Sequence, residues 1–304
     1  MRNLYEQCLK LTQFAAMEFE EIFQFSQERL KQALEAELIE NGYAVRKQRG
    51  FLYAEGTVPV LLVAHLDTVH RTQPETICYS ADGTIMMSPQ GIGGDDRAGV
   101  YMILRLIQRV HCHVLFCEDE ETGGHGAHAF IESGIKPDVN YIVELDRTGS
   151  NDAVFYQCRN RQFERHINSF GFQTAFGSFS DISILAPHLN LAAVNLSTGY
   201  YHAHQPGEYV RLDEVEDLVG RIAKLLQTKT EQFSYTQRFT ARKLGEPNDL
   251  QRKRLIALSD AHIVRINHQN IADGRGYFMV LVAAVAVTGC DAHIDVPDTA
   301  VRPG

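Results

Sequence analysis

Short runs of apolar residues that end abruptly in polar side chains recur along the sequence. Residues 60–64 form an unbroken apolar run, and His65 and Asp67 follow it almost directly. An uninterrupted run of this kind is typical of a strand buried on both faces, as the inner strands of a parallel sheet are. Largely apolar stretches of similar length recur at residues 114–117, 141–144 and 191–196. The sequence therefore predicts several inner strands that deliver polar residues to their carboxyl ends.

Other stretches have apolar residues every three or four positions, which is the spacing of amphipathic helices. The predicted helices are two within residues 4–39, closed by Asn41-Gly42, and one each at 100–110, 126–133 and 215–226. Predicted outer strands are a hairpin of 43–45 and 51–53, an edge strand at 84–87 and a strand at 153–156, while 179–185 is ambiguous. Strands alternating with helices predict an α/β fold, with a mostly parallel central sheet, antiparallel edge strands and helices on both faces. We expect this domain to span residues 1–230, followed by a C-terminal extension of unknown role at 231–304.

Composition and charge narrow the possible functions. The 304 residues are 44% hydrophobic, which is enough for a large core, and the formal net charge is -9. This balance argues against a nucleic-acid partner or an anionic membrane surface, because both require clustered Lys and Arg. The N-terminal residues lack a signal-peptide pattern, and the apolar run at 277–287 is too short to span a bilayer. We expect a cytoplasmic protein whose six scattered cysteines are reduced thiols.

The polar residues at the strand ends are the candidate site. Alternation along an extended chain puts His65 and Asp67 on the same side, so that the carboxylate can orient the imidazole. Asp95 and Asp96 follow a glycine-rich stretch and precede a predicted helix. Either of them could simply cap that helix, a role that Asp often has. A carboxylate held in such a loop could also bridge two cations.

The later strand ends add more carboxylates and histidines. Residues 118–121 are Glu-Asp-Glu-Glu, and four adjacent carboxylates at one strand end repel one another unless a cation is present. An acidic surface turn is the ordinary alternative. Asp146 follows the next strand, where a turn or helix cap is the ordinary alternative. His204 lies in a loop with the rival His202 two residues before it and Glu208 four residues after it. His together with carboxylate is the ligand set of catalytic zinc, and a shared carboxylate among five ligands fits a two-metal site.

The ordered motifs resemble those of the dinuclear zinc exopeptidase superfamily, which includes leucyl aminopeptidase, peptidase T and acetylornithine deacetylase. The residues that carry the resemblance are His65 and Asp67, Gly94 to Gly99, Glu118 to Gly123, Asp146 and His204. The resemblance implies that Asp95 bridges two metal ions, that His65 and Asp146 complete one site, and that Glu121 and His204 complete the other. It further implies that Glu120 is the general base and that Asp67 orients His65. The implied metals are two divalent ions, zinc in the first place, with cobalt or manganese as alternatives.

Several features bear on the substrate, which we expect to be a peptide or a small amide. Only 204 - 146 = 58 residues separate Asp146 from His204, so the lid domain of many relatives is missing and the compact form is indicated. Spare acids at Glu118, Asp119 and Glu144 favour recognition of a free amino terminus, and hence an aminopeptidase. Alternatives are a carboxypeptidase or N-acyl amino acid deacylase, with Arg147, Arg159 or Arg161 binding the carboxylate, or a metal-binding relative without turnover. The oligomeric state is left open.

Some further residues stay undecided or are set aside. Tyr200 or Tyr201 could stabilise an oxyanion, or could be a core residue. Ser180-Asp181 resembles part of a Ser-Asp-His segment of the compact aminopeptidases, but Ile182 stands in place of the histidine. The stretch of residues 111–117 contains two histidines and two cysteines, and we interpret it as a core strand rather than as a metal site.

Overall fold

The computed structural model describes residues 14–237, whose secondary structure alternates helices with strands. The helices are α1 Glu21–Gln24, α2 Gln27–Glu40, α3 Gly94–Ile107, α4 His125–Glu132, α5 Arg161–Asn168, α6 Ile182–Leu189 and α7 Leu212–Gln227. The first strands are β1 Ala44–Gln48, β2 Phe51–Glu55, β3 Val58–His65, β4 Cys78–Tyr79, β5 Ile85–Met87 and β6 Cys112–Cys117. The later strands are β7 Tyr141–Arg147, β8 Asp152–Val154, β9 Gln173–Ala175, β10 Ala193–Ser197, β11 Tyr200–Tyr201 and β12 Tyr209–Arg211.

Eight of these strands form the central sheet, in the order β1-β2-β6-β3-β7-β10-β8-β9. The four inner strands β6, β3, β7 and β10 are parallel. Antiparallel pairs flank them, since β2 is antiparallel to both β1 and β6, and β8 is antiparallel to β10. The predicted fold class, a mostly parallel sheet with antiparallel edges, is confirmed.

Alternation along the inner strands divides the core between the two faces of the sheet. On β3, Leu62 and Ala64 face one hydrophobic cluster and Leu61 and Val63 face the other. The first cluster includes the apolar faces of α2, α3 and α7, and the second includes those of α4 and α6. Because both faces are covered, the inner strands are apolar at most positions and lack the alternation of a strand with one exposed face.

A second, smaller sheet lies beside the carboxyl ends of the central strands and has the order β11-β12-β5-β4. Its strands have only two or three residues each. This sheet joins the segment that follows Asp67 to the loop that carries His204, and so it connects two of the predicted motifs.

Most predicted elements are present, with differences at their ends. The predicted strand at 84–87 belongs to the smaller sheet, and the ambiguous stretch at 179–185 leads into α6. Helix α5 and strands β4, β9, β11 and β12 were not predicted. The interpretation of residues 111–117 as core agrees with the structure, in which Tyr53 Oη lies 2.8 Å from His113 Nδ1 within the buried face of β6. Part of the predicted N-terminal helices, residues 4–13, lies outside the described residues.

The described chain continues past the predicted domain boundary at residue 230. Phe233 is 8% exposed and its backbone accepts a hydrogen bond from Ala192 N at 2.7 Å. Short bridges also pair Leu191 with Ser234 and Cys158 with Gln237. The division of the chain and the role of the extension stay predictions, because residues 238–304 lie outside the described part. Within residues 14–237, no helix combines the length and the hydropathy needed to cross a membrane.

Candidate metal centre

The predicted site residues meet at the carboxyl edge of the parallel strands, where ligands bind in sheets of this kind. They are His65 at the end of β3, Asp95 at the start of α3, Glu120 and Glu121 after β6, Asp146 near the end of β7, and His204 between β11 and β12. Each parallel strand is followed by a turn at the same edge of the sheet. Residues that are up to 139 positions apart in the sequence are therefore neighbours in the fold.

Asp95 lies between the two histidines. Its Oδ1 is 3.1 Å from His65 Nε2, and its Oδ2 is 3.2 Å from His204 Nε2. Each histidine also faces a second carboxylate, since His65 Nε2 is 3.5 Å from Asp146 Oδ1 and His204 Nε2 is 2.9 Å from Glu121 Oε1. The structure therefore brings together all five predicted ligands, in two groups that share Asp95.

Asp67 lies behind His65, with Oδ1 3.2 Å from His65 Nδ1. The same carboxylate accepts the backbone N–H of Glu120 at Oδ1 and that of Glu121 at Oδ2, both at 3.0 Å. Asp67 thus contacts the first motif and the third motif at once. A carboxylate behind a histidine fixes the tautomer and the direction of the ring.

The two adjacent aspartates of the second motif have different partners. Asp96 is fully buried, and its Oδ1 accepts the backbone N–H of Gly99 at 3.1 Å, as a capping carboxylate does. Its Oδ2 accepts the backbone N–H of His65 at 3.2 Å. The capping alternative thus applies to Asp96, which leaves Asp95 facing the histidines. The peptide bond between Asp95 and Asp96 is cis.

The four acids of the turn after β6 also have different partners. Glu118 Oε2 pairs with Lys31 Nζ at 2.6 Å and accepts the backbone N–H of Gly50. Asp119 Oδ1 accepts a hydrogen bond from Gln27 Nε2 at 2.9 Å. Glu118 and Asp119 are therefore bound to neighbouring segments of the chain, and the expectation that they are spare acids beside the site is not supported.

Burial and the crowding of charged side chains shift the pKa values of the residues in the cluster. Burial raises the pKa of Glu120 to about 8, and burial together with Asp95 raises the pKa of Asp146 to about 7. The hydrogen bond to Asp95 raises the pKa of His204 to about 9. For His65, burial opposes the charged form, but hydrogen bonds to Asp146 and other carboxylates outweigh burial and raise its pKa well above the usual value.

This donor set fits divalent cations. The ligand atoms of His65, Asp95 and Glu121 lie within 4.8 Å of one another, and those of His65, Asp96 and Asp146 do so as well. A cation among these groups would offset the repulsion between the buried carboxylates. Imidazole and carboxylate are ligands that zinc accepts, and carboxylate also suits manganese.

One side of the site is buried and the other is open. The His65 side chain is 1% exposed, whereas that of His204 is 51% exposed. A substrate can therefore reach the cluster from the His204 side. His202, the rival of His204, instead packs its ring edge against Tyr209, with the centroids 5.4 Å apart.

The two candidate tyrosines are engaged elsewhere. Tyr201 Oη donates to Glu214 Oε2 at 2.5 Å, so this hydroxyl faces α7. Tyr200 is 4% exposed, and its Oη lies 3.4 Å from the backbone oxygen of Asp146. Tyr200 is thus a core residue at the edge of the cluster, and Tyr201 lies outside it.

Asn195 on β10 is a polar residue at the site that the sequence reasoning missed. Its Oδ1 accepts the backbone N–H of Asp146 at 3.0 Å, and its Nδ2 donates to Asp146 O at 3.0 Å and Oδ2 at 3.3 Å. The available signal was a buried asparagine within an apolar strand, since such an amide needs partners. Asn195 also donates to Tyr156 Oη at 3.2 Å, and this network fixes the end of β7.

Ser180 and Asp181 lie behind the cluster and are fully buried. Ser180 Oγ donates to Glu144 Oε2 in a short contact, and burial raises the pKa of the Asp181 carboxyl to about 6. Glu144 is likewise fully buried, so it faces this interior pair and not the open side of the site.

Residues 53–182 match the profile of peptidase family M28. The matched stretch includes His65, Asp95, Glu121 and Asp146, and it stops before His204. A search of curated proteins finds no match to the sequence.

Solved structures share the fold at low sequence identity. A tripeptidase from Staphylococcus aureus subsp. aureus mu50 aligns with a TM-score of 0.56 and 13% identity over 74% of this chain and 97% of its own. Aminopeptidase PepT from Bacillus cereus ATCC 10987 aligns with a TM-score of 0.54 and 15% identity, again over 74% and 97%. An aminopeptidase from the archaeon Desulfurococcus kamchatkensis aligns with a TM-score of 0.56 and 15% identity over 74% and 96%.

Proposed function

We propose that the chain is a metallo-exopeptidase of the dinuclear zinc superfamily, and specifically an aminopeptidase that hydrolyses the first peptide bond of its substrate with two divalent metal ions. The observation that carries this proposal is the position of Asp95 between His65 and His204, each of which faces a further carboxylate. The aminopeptidase and tripeptidase names of the structural neighbours agree with it.

In the proposed centre, His65 and Asp146 would hold one ion, Glu121 and His204 would hold the other, and Asp95 would contribute to both. Two divalent ions held there would supply Lewis-acid activation of the scissile carbonyl and of a water molecule. Asp67 keeps the His65 ring in place from behind. Asn195 does the same for the backbone and carboxylate of Asp146.

Glu120 is the proposed general base. Its backbone N–H is bound by Asp67, adjacent to the peptide of the ligand Glu121, so that the two side chains share one anchor. The Glu120 carboxylate takes a proton from the attacking water and returns it to the leaving amine. A site that only binds a ligand has no use for such a base.

The lining of the site favours a free amino terminus over a free carboxylate. Arg147, which could have bound a carboxylate, has its guanidinium 3.3 Å from Asp152 Oδ2. Arg97 is 2% exposed, and its Nη1 donates to the backbone oxygen of Ile22. On the open side, Glu121 Oε1 instead lies 2.9 Å from His204 Nε2, and a carboxylate there can accept a hydrogen bond from an ammonium group.

The test offers metal-loaded protein a matched set of short peptides, free or acetylated at the N-terminus and free or amidated at the C-terminus. An aminopeptidase cleaves both free-amine peptides and neither acetylated one. Cleavage that tolerates acetylation and requires the free carboxylate would replace the proposal with a carboxypeptidase or deacylase. Tight metal binding without cleavage of any peptide would replace it with a binding protein.

A further inference from the structure

Glu208 is a buried acid whose partners are the loop that presents Asp95 and a histidine that follows the first motif, His70. It follows His204 by four residues, and its side chain is 0% exposed. Its Oε1 accepts the backbone N–H of Asp95 at 2.9 Å, and its Oε2 accepts that of Gly93 at 2.9 Å. Both oxygens thus bind the short loop that presents the proposed bridging carboxylate.

His70 provides the third partner of Glu208. Its Nε2 lies 2.6 Å from Glu208 Oε2, and the imidazole is 13% exposed. The ring lies directly over Gly91, where φ is +88° and a Cβ atom would collide with the imidazole. The His70 side chain can therefore occupy this position only because residue 91 is glycine.

The loop on the other side of Glu208 is packed as closely. A Cβ at Gly94 would lie 2.8 Å from both Tyr200 Cβ and Val210 Cγ2, and 3.4 Å from Glu208 Oε1. The peptide before Asp95 therefore rests against the β11–β12 hairpin with no spare room. The backbone N–H of Asp95, which bonds Glu208, thus belongs to a closely packed loop.

From these contacts we infer that Glu208, held by His70, is a positioning residue that fixes the backbone of Asp95 and couples it to the loop of His204. The inference rests on the proposed two-metal function, because it assigns Glu208 to the placement of the shared ligand. Because the Glu208 side chain is fully buried, it acts through the backbone of Asp95 and Gly93.

The chemistry of the acceptor decides what a substitution does. A carboxylate offers acceptor oxygens to both backbone N–H groups, whereas the amide of glutamine offers one oxygen and one NH2 donor. In Glu208→Gln, one of the two N–H groups must face another donor. Residues that orient metal ligands typically affect metal affinity by about 10–100-fold when they are replaced.

The experiment measures zinc affinity of the full chain by competition with a chromophoric chelator, and records the visible absorption spectrum of the cobalt-loaded protein. We expect Glu208→Gln to bind zinc about 10–100-fold more weakly than wild type and to alter the cobalt spectrum. His70→Ala should shift both in the same direction by less, and His70→Gln, which can still donate to Glu208, should recover most of the loss.

Glu216→Gln is the matched control. Glu216 on α7 also accepts two hydrogen bonds, from Tyr101 Oη at 2.7 Å and Arg105 Nη1 at 2.6 Å. This variant should unfold at a lower temperature when metal-free but should keep the zinc affinity and cobalt spectrum of wild type. Because the two glutamates differ in what they hold, the comparison separates positioning from general stability.

Unchanged affinity and spectrum in Glu208→Gln would overturn the inference, as would an equal loss in Glu216→Gln. If Glu208→Gln does not fold, the variants His70→Ala and His70→Gln test the inference instead. Equal zinc affinities of His70→Ala and wild type would then refute the inference. A wild-type protein that binds fewer than two ions would instead refute the proposed function, which keeps the two failures apart.

Discussion

Asp67 Oδ1 lies 3.0 Å from the backbone nitrogen of Glu120. The carboxylate that stands behind His65 therefore also holds the peptide of the proposed general base. One side chain just after β3 in this way positions both the last residue of β3 and a residue of the turn after β6. The contact links the placement of a proposed metal ligand to that of the proposed base.

Asp67→Asn tests this double role. The amide retains one acceptor oxygen but presents an NH2 group to one of the two backbone donors, and it no longer fixes the tautomer of His65. We expect both zinc affinity and kcat/KM to fall, each by roughly 10–100-fold. Chelator competition and steady-state kinetics on one peptide measure the two effects. A loss in kcat/KM with unchanged zinc affinity would contradict the role at His65.

The reconstituted protein should contain two divalent ions per chain. The five proposed ligands form two groups around Asp95, and the crowded carboxylates favour filling both. Metal analysis after reconstitution with zinc, cobalt or manganese, followed by removal with a chelator and assay, checks this. A content of one ion or fewer after reconstitution is the result against it.

Glu120→Gln should keep its metals and lose turnover. The substitution removes the proton acceptor and leaves the ligand Glu121 unchanged, and general-base catalysis is worth roughly 10²–10⁴-fold. Turnover near that of wild type would favour a binding protein. Asp95→Ala is the companion variant and should lose the metals themselves, because both groups of ligands share Asp95.

The neighbouring Glu118→Gln should behave in the opposite way. Glu118 bonds Lys31 and the backbone of Gly50, so its loss weakens the packing of α2 against the acidic turn. We expect a stability loss of about 1–3 kcal/mol with little change in metal content or kcat. Urea unfolding and metal analysis of the same preparation give both quantities. Loss of metal at full stability would place Glu118 in the site after all.

The sequence could predict the fold because the inner strands are buried on both faces and so are largely apolar. Apart from β5, the strands of the smaller sheet escaped prediction because strands of two or three residues, such as β11, are too short to show a period. The segment that becomes α6 was ambiguous because Ile182–Leu189 is largely apolar and contains Pro187, which is rare inside helices.

The sequence could predict which residue types lie at the strand ends. It could not predict which of several adjacent acids faces the site and which one bonds another part of the chain. Glu118 differs from Glu120 through Lys31, which is 87 residues away in the sequence. Asn195 and Glu208 accept hydrogen bonds from backbone N–H groups of other segments. A sequence motif, which consists of side chains, gives no sign of such backbone partners. Long-range contacts therefore carry the information that the linear motifs lack.

The last prediction concerns where the chain can be cut. Phe233 packs its ring against Tyr141 and Phe163, with centroids 6.0 and 5.2 Å away, and its backbone bonds Asn140 and Ala192. Truncation after Lys229 removes these contacts, and loss of a buried Phe ring alone costs about 3–5 kcal/mol. We therefore expect the protein ending at Lys229 to be strongly destabilised, whereas one ending at Arg238 should keep its metals and activity.

Single substitutions in the full chain distinguish packing from chain length. Phe233→Ala should lower the free energy of unfolding by about 3–5 kcal/mol, while Phe176→Ala, at a ring that is 78% exposed, should change it by less than about 0.5 kcal/mol. Urea unfolding gives both values. If the protein ending at Arg238 is folded and metal-loaded but inactive on a small peptide, residues 239–304 contribute to the chemistry. That result would contradict our expectation that the protein ending at Arg238 stays active.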